Sequence, residues 1–524
     1  MTWNWLNYSL GAVYFAALLV LGFLASRRKG NSNQFLNATG SLPLWISITA
    51  CIAANCGSLD VIAMMALGAQ YGMLACHFYW IGAIPALIVV AFWLLPAYAR
   101  GRYPTVLDFI AHYYGPQTRS VVALCMAAMM LLLAGVCLCA VAQTMTAFLG
   151  WSFILGITVT ATVVIFYTSL GGLRATVYTE LLHFAVVLSA IVPLFFLVLH
   201  NFGGLRRLIE SIPAPRRHAW EGLALFDPSA TMDLVGVILG LGLVLGFGYW
   251  STDFVQMQRA LSARRAVDVP LVPLYMAAAK LIFAFIVVVP GIVAPLVLSS
   301  RMQGHWNVTL PSLMLHYFQP GWVAIGVMGF GASLVSTFAN NVAGFSSAWV
   351  QGIYQAWIRP RESDAHYLRA GRVTNVLAVV ASIAAAYSAR SFQSLMEYIQ
   401  MILSTFNAPI FALVALAALL PRRARGGGFV GLFAGLVTAG AHQALVFAGV
   451  LNYGSRMATN FYAAIISFVV TGIATLIAGR RARNASEGSG LRTFDRIAFV
   501  HSAPTLVWGL IVSAACVALN VWLR

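Results

Sequence analysis

Apolar runs of 20 or more residues recur along the whole chain, separated by short polar connections. A bilayer core takes roughly 20 apolar residues per helix. The pattern predicts about fourteen spans, near 5–27, 43–69, 72–99, 118–148, 151–170, 175–200, 231–257, 267–298, 319–357, 367–389, 392–420, 427–450, 459–479 and 500–523. The longest polar connections, 201–230, 299–318 and 480–499, leave no room for a soluble domain, so residues 1–524 read as a single all-α polytopic membrane domain. The opening "MTWNWLNYSL" has no basic start and no small-residue cleavage site, which predicts a retained helix rather than a signal peptide.

Three spans break the apolar pattern. In "TACIAANCGSLDV" (49–61), Asn55, Gly57 and Ser58 weaken the helix beside a carboxylate, Asp60. In "YMAAAKLIFAFIVVVPG" (275–291), Lys280 lies mid-span, which costs several kcal/mol unless it is paired or faces a wet cavity. Asp60 and Asp253, the latter in "FGYWSTDFVQMQR", are its candidate partners; a competing reading puts Asp253 near the membrane surface with Lys280 snorkelling to it. In "GFGASLVSTFANNVAG" (329–344), Ser333, Ser336 and Thr337 stand at i, i+3 and i+4 and share one helix face. By itself that row fits ordinary packing of small residues between membrane helices equally well.

Composition supports the class: 61% of residues are hydrophobic and 9% charged. The net charge of +17 would suit nucleic acid, but its distribution argues for topology instead. With the N-terminus outside, 22 basic residues fall on inner loops and 8 on outer ones, which predicts N-out and C-out; the outer "RRLIESIPAPRR" is a local exception. The seven Cys all fall in apolar spans without a CxxC pair, and the ten His are scattered. Neither a disulfide framework nor a transition-metal site is indicated, and the His are expected at interfaces or hydrogen-bonded within the bundle. A membrane enzyme would need clustered His, paired carboxylates or a nucleophile near one surface, and none stands out, so the chain reads as no enzyme. A sensor would carry a signalling domain, whereas this chain ends within a few residues of its last span.

Four stretches resemble the sodium:solute symporter family, relatives of the sodium/glucose cotransporters. "TSLGGLRATVYTELLHF" (168–184) resembles its GGL(K/R)AV signature, and "YWSTDFVQMQRALSARR" (249–265) its YW…QR segment. "AKLIFAFIVVVPGIVAPLV" (279–297) is similar to its K-L…PGI helix, and "ASLVSTFANNVAGFSSAWVQGIYQ" (332–355) to its serine-rich helix. The resemblance implies a LeuT-type fold of two inverted five-helix repeats, here about 43–200 and 231–420, with peripheral helices over 427–523. It implies a sodium site of the Ala53, Cys56 and Ser333 carbonyls with the Ser336 and Thr337 hydroxyls. Broken-helix carbonyls supply the hard oxygens that sodium prefers. It implies a solute site of Asp60, Tyr79, Asp253, Lys280 and Gln400. Asp60, Asp253 and Tyr79 stand where the sugar-transporting branch has Gln, Asn and Glu; its TD is Thr179–Glu180 and its following Gln is His183.

Two carboxylates and one ammonium give the solute site a formal charge of −1. The resulting expectation is Na+-coupled symport of a small polar solute by alternating access: a sugar or polyol first, a zwitterion or amine second, an anion third. Proton coupling through Asp60, and a non-transporting subunit or sensor on the same fold, are the alternatives. The expected partners are the solute, sodium and the lipid bilayer, with no nucleic acid; the expected location is a bacterial-type cytoplasmic (inner) membrane.

Overall fold

The computed structural model describes residues 42–96, 105–168, 173–220, 223–298, 306–420, 426–483 and 502–523, with Ser9, Val13, Tyr14, Ala16 and Tyr103. The expected span 5–27 therefore lies almost wholly outside the described residues, as do the glycines of the 168–184 signature.

The described chain is built of helices. Ten are long and apolar enough to cross a membrane, and Leu44–Asn55, Phe153–Ile165 and Gly236–Thr252 form shorter apolar helices. The helices that build the site are labelled as follows: α1 (Leu44–Asn55), α2 (Ser58–Tyr71), α3 (Pro116–Leu149), α4 (Leu173–Asn201), α5 (Phe247–Thr252), α6 (Phe254–Leu261), α7 (Leu271–Phe283), α8 (Pro320–Trp349), α9 (Leu395–Ile402), α10 (Arg456–Arg483) and α11 (Ala503–Trp522).

Two apolar stretches are interrupted where the sequence places helix-weakening or capping residues. α1 stops at Asn55, Cys56 closes its last turn by donating to the Ile52 carbonyl at 2.7 Å, and Gly57 is extended (φ −77°, ψ −170°) before α2 starts. α5 ends at Thr252 and α6 restarts after Asp253, whose carboxylate accepts from the Gln256 N–H at 2.8 Å as the N-cap.

Apolar area drives little association between helices in lipid, so close backbone approach matters. α2 crosses the Val289–Leu298 helix so tightly that a Cβ on Gly291 would stand 2.2 Å from the Met65 carbonyl, and one on Gly68 2.7 Å from that of Val288. α8 packs along α3 and α4, bringing its hydroxyl face towards the break in α1–α2.

Candidate functional site

A cavity of about 240 Å³ opens between α1, α2, α5, α7, α8 and α9. Its wall includes nine of the ten residues named from the sequence: Ala53, Asp60, Tyr79, Asp253, Lys280, Ser333, Ser336, Thr337 and Gln400. The tenth, Cys56, is fully buried in the break itself.

The break explains why an acid sits beside a weak point. Stopping α1 and restarting α2 creates a helix N-terminus inside the protein, with the positive end of the peptide dipoles facing the cavity. Asp60 lies in the first turn of α2, where that end stabilises a carboxylate. Asp253 occupies the matching place at the start of α6. Each acid belongs to a helix start that its own interruption made.

Asp60 meets Lys280 from α7. The ammonium donates to Asp60 Oδ2 at 3.2 Å and Oδ1 at 3.3 Å, with the Lys280 side chain 3% exposed and Asp60 16%. The Tyr79 hydroxyl donates to Asp60 Oδ2 at 2.7 Å, and the ammonium lies 4.4 Å from the Tyr79 ring centroid, a cation–π contact. Of the partners expected for Lys280, Asp60 forms the ion pair, while Asp253 caps α6 and lines the cavity wall.

Of the residues expected to hold sodium, Ser333 contacts the break directly. Among the described residues no backbone hydrogen bond ends on the Ala53 or Cys56 carbonyl. Ser333 Oγ reaches across from α8 to accept from the Ser58 N–H at 3.3 Å, and Thr337 Oγ1 donates to the Ser333 carbonyl at 2.9 Å, turning its lone pairs outward. Among the described residues Ser336 Oγ and Ser58 Oγ are buried and meet no hydrogen-bond partner. Buried hydroxyl oxygens without partners are costly. Ala53, Ser333, Ser336 and Thr337 all line the cavity wall, which puts the α8 hydroxyls on the same wall as the end of α1.

Several residues that were not among the expected ligands line the same wall: Asn55, Glu180, His183, Gln256, Asn340 and Asn341. Glu180 accepts from Arg259 Nη2 at 2.7 Å through both oxygens and from Asn340 Nδ2 at 2.7 Å, a buried network joining α4, α6 and α8. His183 is hydrogen-bonded to the Tyr14 hydroxyl. Glu180 and Arg259 both stood in the motifs that carried the resemblance, but no sequence period pairs residues 79 apart. Two cavity acceptors, Asn55 Oδ1 and Gln400 Oε1, are buried without a donor among the described residues.

Interrupted apolar helices that line a shared cavity are the architecture of secondary transporters. The family model of the sodium:solute symporters matches residues 35–435, and the chain belongs to that family. It is similar to sodium/glucose cotransporter 1 of Oryctolagus cuniculus, at 25% identity over 90% of this chain and 78% of that protein. It is also similar to the sodium/glucose cotransporter of Vibrio parahaemolyticus, at 24% identity over 83% of this chain and 84% of that one. Among solved structures, a Na+-coupled sialic acid symporter in its substrate-bound outward-open state superposes with a TM-score of 0.75, at 15% identity over 92% of this chain and 98% of that one. MHP1, a nucleobase-cation-symport-1 family transporter, gives 0.52 at 14% identity, over 90% and 100%. These neighbours establish the LeuT-like fold, and the family makes sodium the coupling ion.

Proposed function

We propose that this symporter carries a small, neutral, hydroxyl-rich solute, a sugar or polyol, together with sodium bound at Ala53, Cys56, Ser333, Ser336 and Thr337. The observation that carries the solute class is the pair of orphaned cavity acceptors, Asn55 Oδ1 and Gln400 Oε1. They call for hydrogen-bond donors on the solute, and hydroxyl groups supply them. The Asp60–Lys280 pair compensates its own charge, so a neutral solute enters without stranding an ion. Tyr79, Tyr249 and Trp250 give the wall aromatic faces against which C–H surfaces of a ring pack. The names of the relatives, sodium/glucose cotransporters, point the same way.

In this reading sodium binds first at the break, cross-linking α1 and α2 to α8, and shapes the cavity wall around Asp60. The two inverted repeats, 43–200 and 231–420, then rock about the site to alternate access. A second reading, an amine-bearing solute, draws on the carboxylates of the wall, Asp60, Asp253 and Glu180. A thermal-shift screen of hexoses, polyols, amino acids and amines, with and without sodium, separates them. Sodium-enhanced protection by a hexose or polyol supports the first reading, and protection by amines alone overturns it.

A further inference from the structure

Glu397, in the first turn of α9, is a buried carboxylate outside the solute cavity. It is 2% exposed. Its Oε1 accepts from Gln70 Nε2 and from the Tyr71 hydroxyl, each at 2.8 Å, so the last two residues of α2 both bind it. Among the described residues its other oxygen, Oε2, is buried and meets no donor, and neither does the buried Gln70 Oε1. Asn460 Nδ2 of α10 donates to the Glu397 carbonyl at 2.9 Å and fixes the start of α9. Among the described residues no cationic side chain forms an ion pair with Glu397. Arg456, which acts electrostatically on Tyr71, stands over the Phe392 ring at 4.7 Å.

The Gln70–Glu397 hydrogen bond holds an amide and a carboxylate side by side, each with one oxygen facing no proton. Burying a carboxylate without a positive partner is among the most costly arrangements in a protein. A water molecule could donate to both oxygens but would leave the charge uncompensated. We propose that Glu397 Oε2, Gln70 Oε1 and the Tyr71 hydroxyl oxygen hold a sodium ion at a second site distinct from the one at the helix break. The site joins the far end of α2, the helix that begins at the break and carries Asp60, to the start of α9, which carries Gln400. Occupancy there pins together two helices of the solute-cavity wall.

The test titrates ²²Na+ onto purified full-length protein in detergent. The wild type should bind two ions per chain, and Glu397→Gln one. Ser336→Ala should bind its break-site ion about tenfold more weakly, and the double variant should keep only that weakened ion. Gln70→Leu keeps the acid and carries the comparison should Glu397→Gln fail to run as a monodisperse peak; affinity at one of the two sites lowered about tenfold supports the site. One ion per chain in the wild type, or a count and affinity unchanged in both variants, overturns the proposal, leaving a hydrogen-bonded contact between α2 and α9. Failure of the break-site assignment looks different, because Ser336→Ala would then leave sodium binding unchanged.

Discussion

Lys280 and Asp60 share one largely buried ion pair, in which each is the other's opposite charge. Lys280→Ala strands the carboxylate and should cost about 3–5 kcal/mol, read as a lowered unfolding temperature in detergent. Asp60→Asn in the same chain should recover much of that loss. A double variant no more stable than Lys280→Ala would show that the two are uncoupled. Asp60→Asn alone also reports on the solute. Amide and carboxylate both accept from hydroxyls, so affinity for a polyol should fall only modestly, whereas an amine loses a charge-assisted bond about twice as strong as a neutral one. At this scale much was legible in the sequence: a mid-span lysine demands a partner, and Asp60 was one of two acids offered for it. Glu180 with Arg259, and Glu397 with Gln70, were not. Their partners lie 79 and 327 residues apart, and only the three-dimensional packing of helices brings them together.

The break between α1 and α2 is the element on which the sodium reading turns. Gly57 allows it, because a Cβ there would come within 3.1 Å of the Ala53 carbonyl and 3.6 Å of Ser333 Oγ. Gly57→Ala should therefore press on the Ala53 carbonyl and weaken sodium binding while the fold persists, measured as ²²Na+ affinity on monodisperse protein; unchanged affinity would show that the close approach is unnecessary. Ser336→Ala or Thr337→Ala removes one oxygen. The sodium concentration for half-maximal uptake should rise about tenfold or more, the size of losing a contact to a charge worth roughly 1.5–3 kcal/mol. The break itself was readable from Asn55, Gly57 and Ser58, and the hydroxyl row from its i, i+3, i+4 spacing. What spacing alone could not say was whether that row faced lipid, a neighbouring helix or a cavity. All three residues of the row line the cavity, which answers that question.

For the whole molecule, hydropathy marked the membrane helices, ten of which are long and apolar enough to cross a bilayer among the described residues, but the divide expected between 43–69 and 72–99 falls inside the single run Ser58–Leu94, because the chain breaks at Cys56–Gly57 instead. The basic-residue asymmetry predicts which face is which, and exposed positions make it testable. In a chain whose seven native cysteines are all buried, Arg207→Cys should react with a membrane-impermeant maleimide on intact cells, and Arg361→Cys only after permeabilisation. The reverse pattern would invert the topology. The central claim, that solute movement is driven by sodium bound at the α1–α2 break, is tested most directly in proteoliposomes. Uptake of a radiolabelled solute chosen by the thermal-shift screen is followed under an inward sodium gradient, with potassium or choline substituted as controls. The account predicts accumulation with sodium alone, and a Ser336→Ala protein that needs about tenfold more sodium to match it. Uptake that is equal in sodium, potassium and choline, or that is indifferent to Ser336→Ala, would contradict it.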